Sequence, residues 1–156
     1  MKLLQLGLVI LILVPGCSRQ QETESGVFKI TGDTKHVMML VLEPASDVIW
    51  DSSGSIITAQ GVEDLAPTTE EEWLAVKHSA AVIVESGNLL LLPGRFKDNK
   101  DWQEISYGLI DVGQRLITAI DAKDSQAMFD LGGRLYNVCV SCHQLYLTPE
   151  QKRTLP

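Results

Sequence analysis

Apolar residues fall into three regimes along the chain. From Leu3 to Val14 they run almost unbroken, interrupted by Gln5 and Gly7, behind a basic Met1-Lys2 start. That run is too short to span a bilayer and has the form of a secretory-signal core. Between Ser18 and Gly26 apolar residues vanish, which predicts a solvated tether. From about Thr34 onward they recur every three or four residues, the period of amphipathic helices.

Four helical patterns follow. The first covers about Thr34 to Trp50. Its inner side carries Met38, Val41, Leu42, Ala45 and Ile49; His36, Glu43 and Asp47 lie opposite, with Met39 toward the polar side. Pro44 interrupts it, removes a backbone hydrogen bond and is expected to kink or break the helix. Asp51 to Thr69 contains Ser-Ser-Gly-Ser, Gly61 and Pro67 and reads as a long connection. Within it Ile56-Ile57-Thr58 has strand character but no evident partner. The second pattern opens at Thr68 or Thr69, where Glu70, Glu71 and Glu72 suit a helix N-terminus. It buries Trp73, Val76, Ala80, Ile83 and Val84 and ends near Leu90, before Pro93-Gly94.

The third pattern, about Asp101 to Ala122, is the clearest. Trp102, Ile105, Leu109, Val112, Leu116 and Ile120 form its apolar stripe, with Glu104, Tyr107, Asp111, Gln114 and Thr118 opposite. The fourth runs from about Ser125 to Leu147, where Thr148-Pro149 ends it. Four amphipathic helices without convincing strands predict an all-α four-helix bundle. The expected organisation is a signal over residues 1–16, a tether over 17–33 and the bundle over 34–156.

A chain of 156 residues has room for one small domain with its own core. Its net charge of −7, with no basic patch, argues against nucleic acid and against anionic membrane surfaces as partners. Nothing reads as a phosphate-cradling loop, a catalytic triad or a repeat. The three cysteines carry the chemistry. Cys17 follows Val14-Pro15-Gly16, and a small residue before a cysteine at this place resembles the lipobox of bacterial lipoproteins, although Pro15 is not the usual residue there. The resemblance implies lipidation of Cys17 and a periplasmic protein held to a membrane by that lipid. The alternative is an ordinary secretory signal with an incidental cysteine; both export the chain.

Cys139 and Cys142 precede His143 in a Cys-x-x-Cys-His motif. On a helix these spacings place both thiols and the imidazole on one side. The thiols can then reach the two vinyl groups of a haem while the imidazole reaches its iron. A zinc site would need a second Cys or His pair, and a thioredoxin-type motif would need a βαβ setting. Neither is present. The expected cofactor is one covalent haem c, with no cysteine left for a disulfide. Thirteen residues follow His143, none of them Met or His. Met128 lies fifteen residues before it on the same pattern, about 22 Å along the axis. Any sixth ligand must therefore come from the first or second helix.

A four-helix bundle with this motif on its last helix is similar to the cytochrome c prime family. The resemblance covers roughly Thr34 to Leu147. Asp47-Val48-Ile49-Trp50, Glu63-Asp64-Leu65-Ala66-Pro67-Thr68, Asn88-Leu89-Leu90 and Pro93-Gly94-Arg95 further resemble a proteobacterial subgroup of it. The lipid anchor and Pro44 depart from the usual pattern. High-spin members of that family leave the sixth iron position empty behind a bulky apolar residue; low-spin members fill it with a methionine from the first helix. On the inner side, Met38 is the candidate distal ligand, against the plainer reading that it fills the core.

His36 and His78 are expected to be solvated. Gly132 admits either a porphyrin or a neighbouring helix, and Arg95 and Arg134 are propionate partners or surface arginines. The implied function is electron transfer with a redox partner protein, by a carrier rather than an enzyme. The first alternative is a five-coordinate haem that binds nitric oxide or carbon monoxide. A peroxidase-type enzyme ranks last because no distal His–Arg pair is evident. Helix-paired homodimers are frequent in the resembling family.

Overall fold

The computed structural model describes residues 28–153. The signal, Cys17 and the tether up to residue 27 lie outside the described residues, as do residues 154–156. What is described is mostly helical.

The first helical run is continuous but not uniform. It opens with α1 (Thr34–Val37), where the Asp33 carboxylate accepts the His36 backbone N–H at 2.9 Å. A π-helical segment follows (Met38–Leu42), in which the Glu43 N–H reaches the Met38 carbonyl, and then α2 (Glu43–Asp51). Pro44 does not break the run, one of the two outcomes expected from its missing N–H, but regular α-helix gives way just before it. The chain widens one turn just before it, where an α-turn would press the pyrrolidine ring against the Leu40 carbonyl. The extra residue also resets the buried face. Val37 and Leu42 are both buried although five residues apart, and Ala45, Ser46 and Ile49 continue the face at ordinary helical spacing.

The long connection contains a hairpin. β1 (Ser55–Thr58) pairs antiparallel with β2 (Gly61–Asp64), in the register Ser55↔Asp64 to Thr58↔Gly61. Ile56-Ile57-Thr58 thus has a partner that sequence patterning did not supply. All positions in both strands are exposed, so neither face carries the alternation that marks a half-buried strand. Gly54 (φ +85°) and Gly61 (φ +139°) take backbone conformations that side chains resist.

Three long helices complete the fold. In α3 (Glu70–Leu90) a capping box joins the Thr69 hydroxyl to the Glu72 N–H, while the Glu72 carboxylate accepts from the backbone of Thr68 and Thr69. Those bonds hold the Glu72 carboxyl below the usual range. Before α4 (Asp101–Asp121), Asp98 accepts the N–H groups of Lys100 and Trp102 at 3.1 Å each. Asp124 caps α5 (Ser125–Tyr146) through the Ala127 N–H. A further short helix, α6 (Pro149–Arg153), follows Thr148 and was not expected from the sequence.

α3 packs on α4, α4 on α5, and α2 on both α3 and α5. Their inner faces form one core, with Ile49, Ile83, Leu116, Met128 and Leu135 fully enclosed. Val84 and Ile105, expected inside, are only half-buried. α3 and α4 approach closely through two glycines. A Cβ on Gly87 would lie 2.5 Å from Ile110 Cγ1, and one on Gly113 would lie 2.7 Å from Val84 Cγ2. Among the described residues no helix is long and apolar enough to cross a membrane.

Candidate functional site

The last turns of α5 carry Cys139, Cys142 and His143. Upstream, Met128, Gly132 and Leu135 are buried and seat the helix on the core, which fixes how its C-terminal half is turned. Cys139 and Cys142 are half-buried free thiols packed against that core. Burial pushes the Cys139 thiol up to about 11. The Cys142 thiol also rises to about 11, through burial and then through the neighbouring Cys139. Both therefore stay protonated at neutral pH, unlike the low-pKa nucleophiles of dithiol redox motifs. Desolvation lowers the His143 pKa, while the facing Glu43 carboxylate works against it. A neutral imidazole has a lone pair free for a metal.

The Glu43–His143 proximity also places the start of α2 beside the end of α5. Met38, five residues earlier, opens the π-helical segment and is half-buried against the core; its neighbour Met39 is 52% exposed. Single π turns inside helices occur often at functional sites. The other sequence candidates part company here. His36 and His78 are exposed, and Met128 is wholly enclosed in the core. Gly132 serves a helix contact: its carbonyl accepts the Trp50 indole N–H at 3.0 Å. Trp50 and Tyr136 meet edge to face at 6.4 Å between ring centres, and Tyr136 itself is 58% exposed. Around them an open groove of about 550 Å³ is lined by Trp50, Ser53, Phe129, Gly132, Gly133 and Tyr136. It reaches to within one helical turn of Cys139.

Two contacts at this end were not read from the sequence. The Tyr146 hydroxyl, one turn beyond His143, donates to Asp98, and its ring stands edge-on to Trp102 at 4.9 Å. Trp102 in turn donates its indole N–H to the Leu90 carbonyl at 2.9 Å. Burial and the bond to Asp98 push the Tyr146 hydroxyl up to about 12, and Asp98 is held below its ordinary range chiefly by the same bond. The segment between α3 and α4 is thereby fastened to the helix that carries the cysteines. Asp98, just ahead of a tryptophan that opens a helix, was the one available signal. Arg95, in the same segment, is a buried residue rather than a surface one; Arg134 is exposed.

Chemically, the site offers two neutral thiols and a neutral imidazole on consecutive turns, beside an apolar core and an aromatic groove. That set fits a flat apolar ligand with alkene substituents and a central metal. It does not form a metal cage by itself: among the described residues no three His, Cys, Asp or Glu side chains are grouped to hold an ion. Comparison of the chain with protein-family models, with curated proteins and with solved structures finds no match.

Proposed function

We propose that this chain is an exported mono-haem c-type cytochrome, held to a periplasmic membrane surface by lipid on Cys17, that transfers electrons. In this reading the helices form a four-helix bundle resembling cytochrome c prime. Cys139 and Cys142 hold one haem c through thioethers, and His143 is its proximal ligand. The observation that carries the reading is the Cys-x-x-Cys-His face itself, with protonated, half-buried thiols beside a desolvated imidazole. When bound, the haem supplies a one-electron couple between Fe(III) and Fe(II).

The protein's own groups divide the work. The thiols fix the group in place and prevent its loss outside the cytoplasm. The His143 ring is kept neutral by desolvation, so it is available as a ligand. Met38, at the opening of the π-helical segment, would supply a thioether ligand to the iron, which would raise the reduction potential.

Expression of the full chain in a host that matures c-type cytochromes tests this directly. The intact mass should rise by one haem, and Cys139→Ala with Cys142→Ala should abolish that gain. The spectrum should be six-coordinate and low-spin, and Met38→Ala should abolish the low-spin form. A protein that matures without covalent haem overturns the proposal. A high-spin ferrous form that takes up carbon monoxide readily keeps the haem but moves the function to gas binding.

A further inference from the structure

Arg95 is 5% exposed, a degree of burial unusual for arginine without a paired anion. Its Nε donates to the Gly32 carbonyl at 3.1 Å and its Nη1 to the Leu89 carbonyl at 3.4 Å. Ion pairs among the described residues join Lys77 to Asp121, Lys100 to Asp101, Arg115 to Asp111 and Lys123 to Glu70. Arg95 takes part in none of them. Among the described residues no buried side-chain nitrogen or oxygen lacks a hydrogen-bond partner. Among the described residues the guanidinium therefore has carbonyl dipoles around it but no ion-pair partner. A buried cation in that condition is unfavourable, and its planar fork is shaped to take a carboxylate with two parallel bonds.

Its location narrows the source of that carboxylate. Gly32 leads directly into α1 and the π-helical segment that begins at Met38. Leu89 lies in the last turn of α3, and the segment beyond it is fastened at Asp98 to Tyr146, one turn after His143. Arg95 thus stands where the entry to the Met38 run and the loop tied to the Cys139–His143 helix converge.

We infer that Arg95 is the carboxylate anchor of the haem pocket: its buried guanidinium pairs with a haem propionate. This rests on the haem reading above. The pairing supplies the missing countercharge, keeps the propionate ionised and puts a fixed positive charge near the iron, which favours Fe(II). Arg95 is a positioning residue in this role, acting on the iron through the propionate.

The test uses the full chain, matured with haem, as wild type, Arg95→Gln and Arg95→Lys. Covalent haem is confirmed first by intact mass. The reduction potential is then followed from pH 5 to 8. Loss of the charge in Arg95→Gln should raise the Fe(III)/Fe(II) ratio at a fixed poise about tenfold, about 59 mV for one electron. The wild-type potential should be flat over this range, and Arg95→Lys should recover part of the shift. If Arg95→Gln does not fold, the wild-type profile and Arg95→Lys still decide. A sloping wild-type profile, or an Arg95→Lys potential about 59 mV or more below wild type, overturns the inference. An unchanged potential in Arg95→Gln shows that Arg95 only staples the loop. If Glu22→Gln with Glu24→Gln lowers Tm as Arg95→Gln does while both potentials stay unchanged, the carboxylate comes from the tether, which also overturns it. Absence of haem in wild type defeats the functional reading itself and is seen at the mass stage.

Discussion

The α3–α4 seam and the α2–α5 seam are built on opposite plans. Across the first, Gly87 and Gly113 let two 21-residue helices close until an added Cβ would collide with Ile110 or Val84. Across the second, the large ring of Trp50 spans the gap to Gly132, and a Cβ there would meet only ordinary contact at 3.5 Å. Beside it lie an open groove, two half-buried thiols and exposed apolar side chains, Tyr136 and Leu145 among them. One seam is closed along its length; the other leaves a groove with the Cys139, Cys142 and His143 side chains near it. A close-packed interface resists any volume change, so ligand capacity has to be concentrated in the interface left open.

The largest expected effect breaks the tight seam. Gly113→Leu forces a branched side chain into a space already filled by Val84 and Ile83, and should destabilise the protein by about 3 kcal/mol in chemical denaturation. A loss below about 1 kcal/mol would mean that the helices part easily and that the two seams do not differ in kind. A smaller effect sharpens the contrast. With haem attached as proposed, amide exchange in α2 and in α5 near Cys139 should slow about tenfold, about 1.4 kcal/mol, relative to the Cys139→Ala/Cys142→Ala protein. Amides at the Gly87 and Gly113 crossing should change little. Equal slowing in both places would show global stabilisation rather than completion of one seam.

The smallest effect concerns the fastening of the α3–α4 segment. The Tyr146 hydroxyl is the foremost cause of the lowered Asp98 pKa. A carboxyl lowered in the folded state adds stability above its ordinary value, 3.8, and loses it as pH falls below that. Tyr146→Phe should therefore lower stability above about pH 4, pH 7 included, and flatten its decline below that, where the variant and wild type converge. An unchanged slope would assign the acid sensitivity to other carboxyls, Glu72 first.

The helices could be read from the sequence because their burial is periodic. Trp102, Leu109, Val112, Leu116 and Ile120 repeat the helical spacing and are all buried, and Thr69 with Glu72 marks the start of α3. The hairpin could not be read, because Ile56, Ile57 and Val62 are exposed and no face of it enters the core. The π turn was hidden for a related reason. A regular wheel puts Val37 out of phase with Leu42, and only a five-residue turn aligns them. At the site, the cysteines and histidine announce themselves by spacing, which is local. The burial of Arg95 and the Tyr146–Asp98 bond join residues 63 and 48 positions apart, and no local pattern encodes them.

The π turn before Pro44 has a consequence for how this helix can change over time. A chain one residue shorter would return Met38–Leu42 to an α-turn, rotating Met38 relative to α2, and would set the proline ring against a carbonyl. In a chain of the present length without the proline, the shared burial of Val37 and Leu42 alone would hold the wide turn. The wide turn therefore serves both the proline ring and the buried face. It sets the azimuth of Met38 by chain length, with no change to the methionine itself.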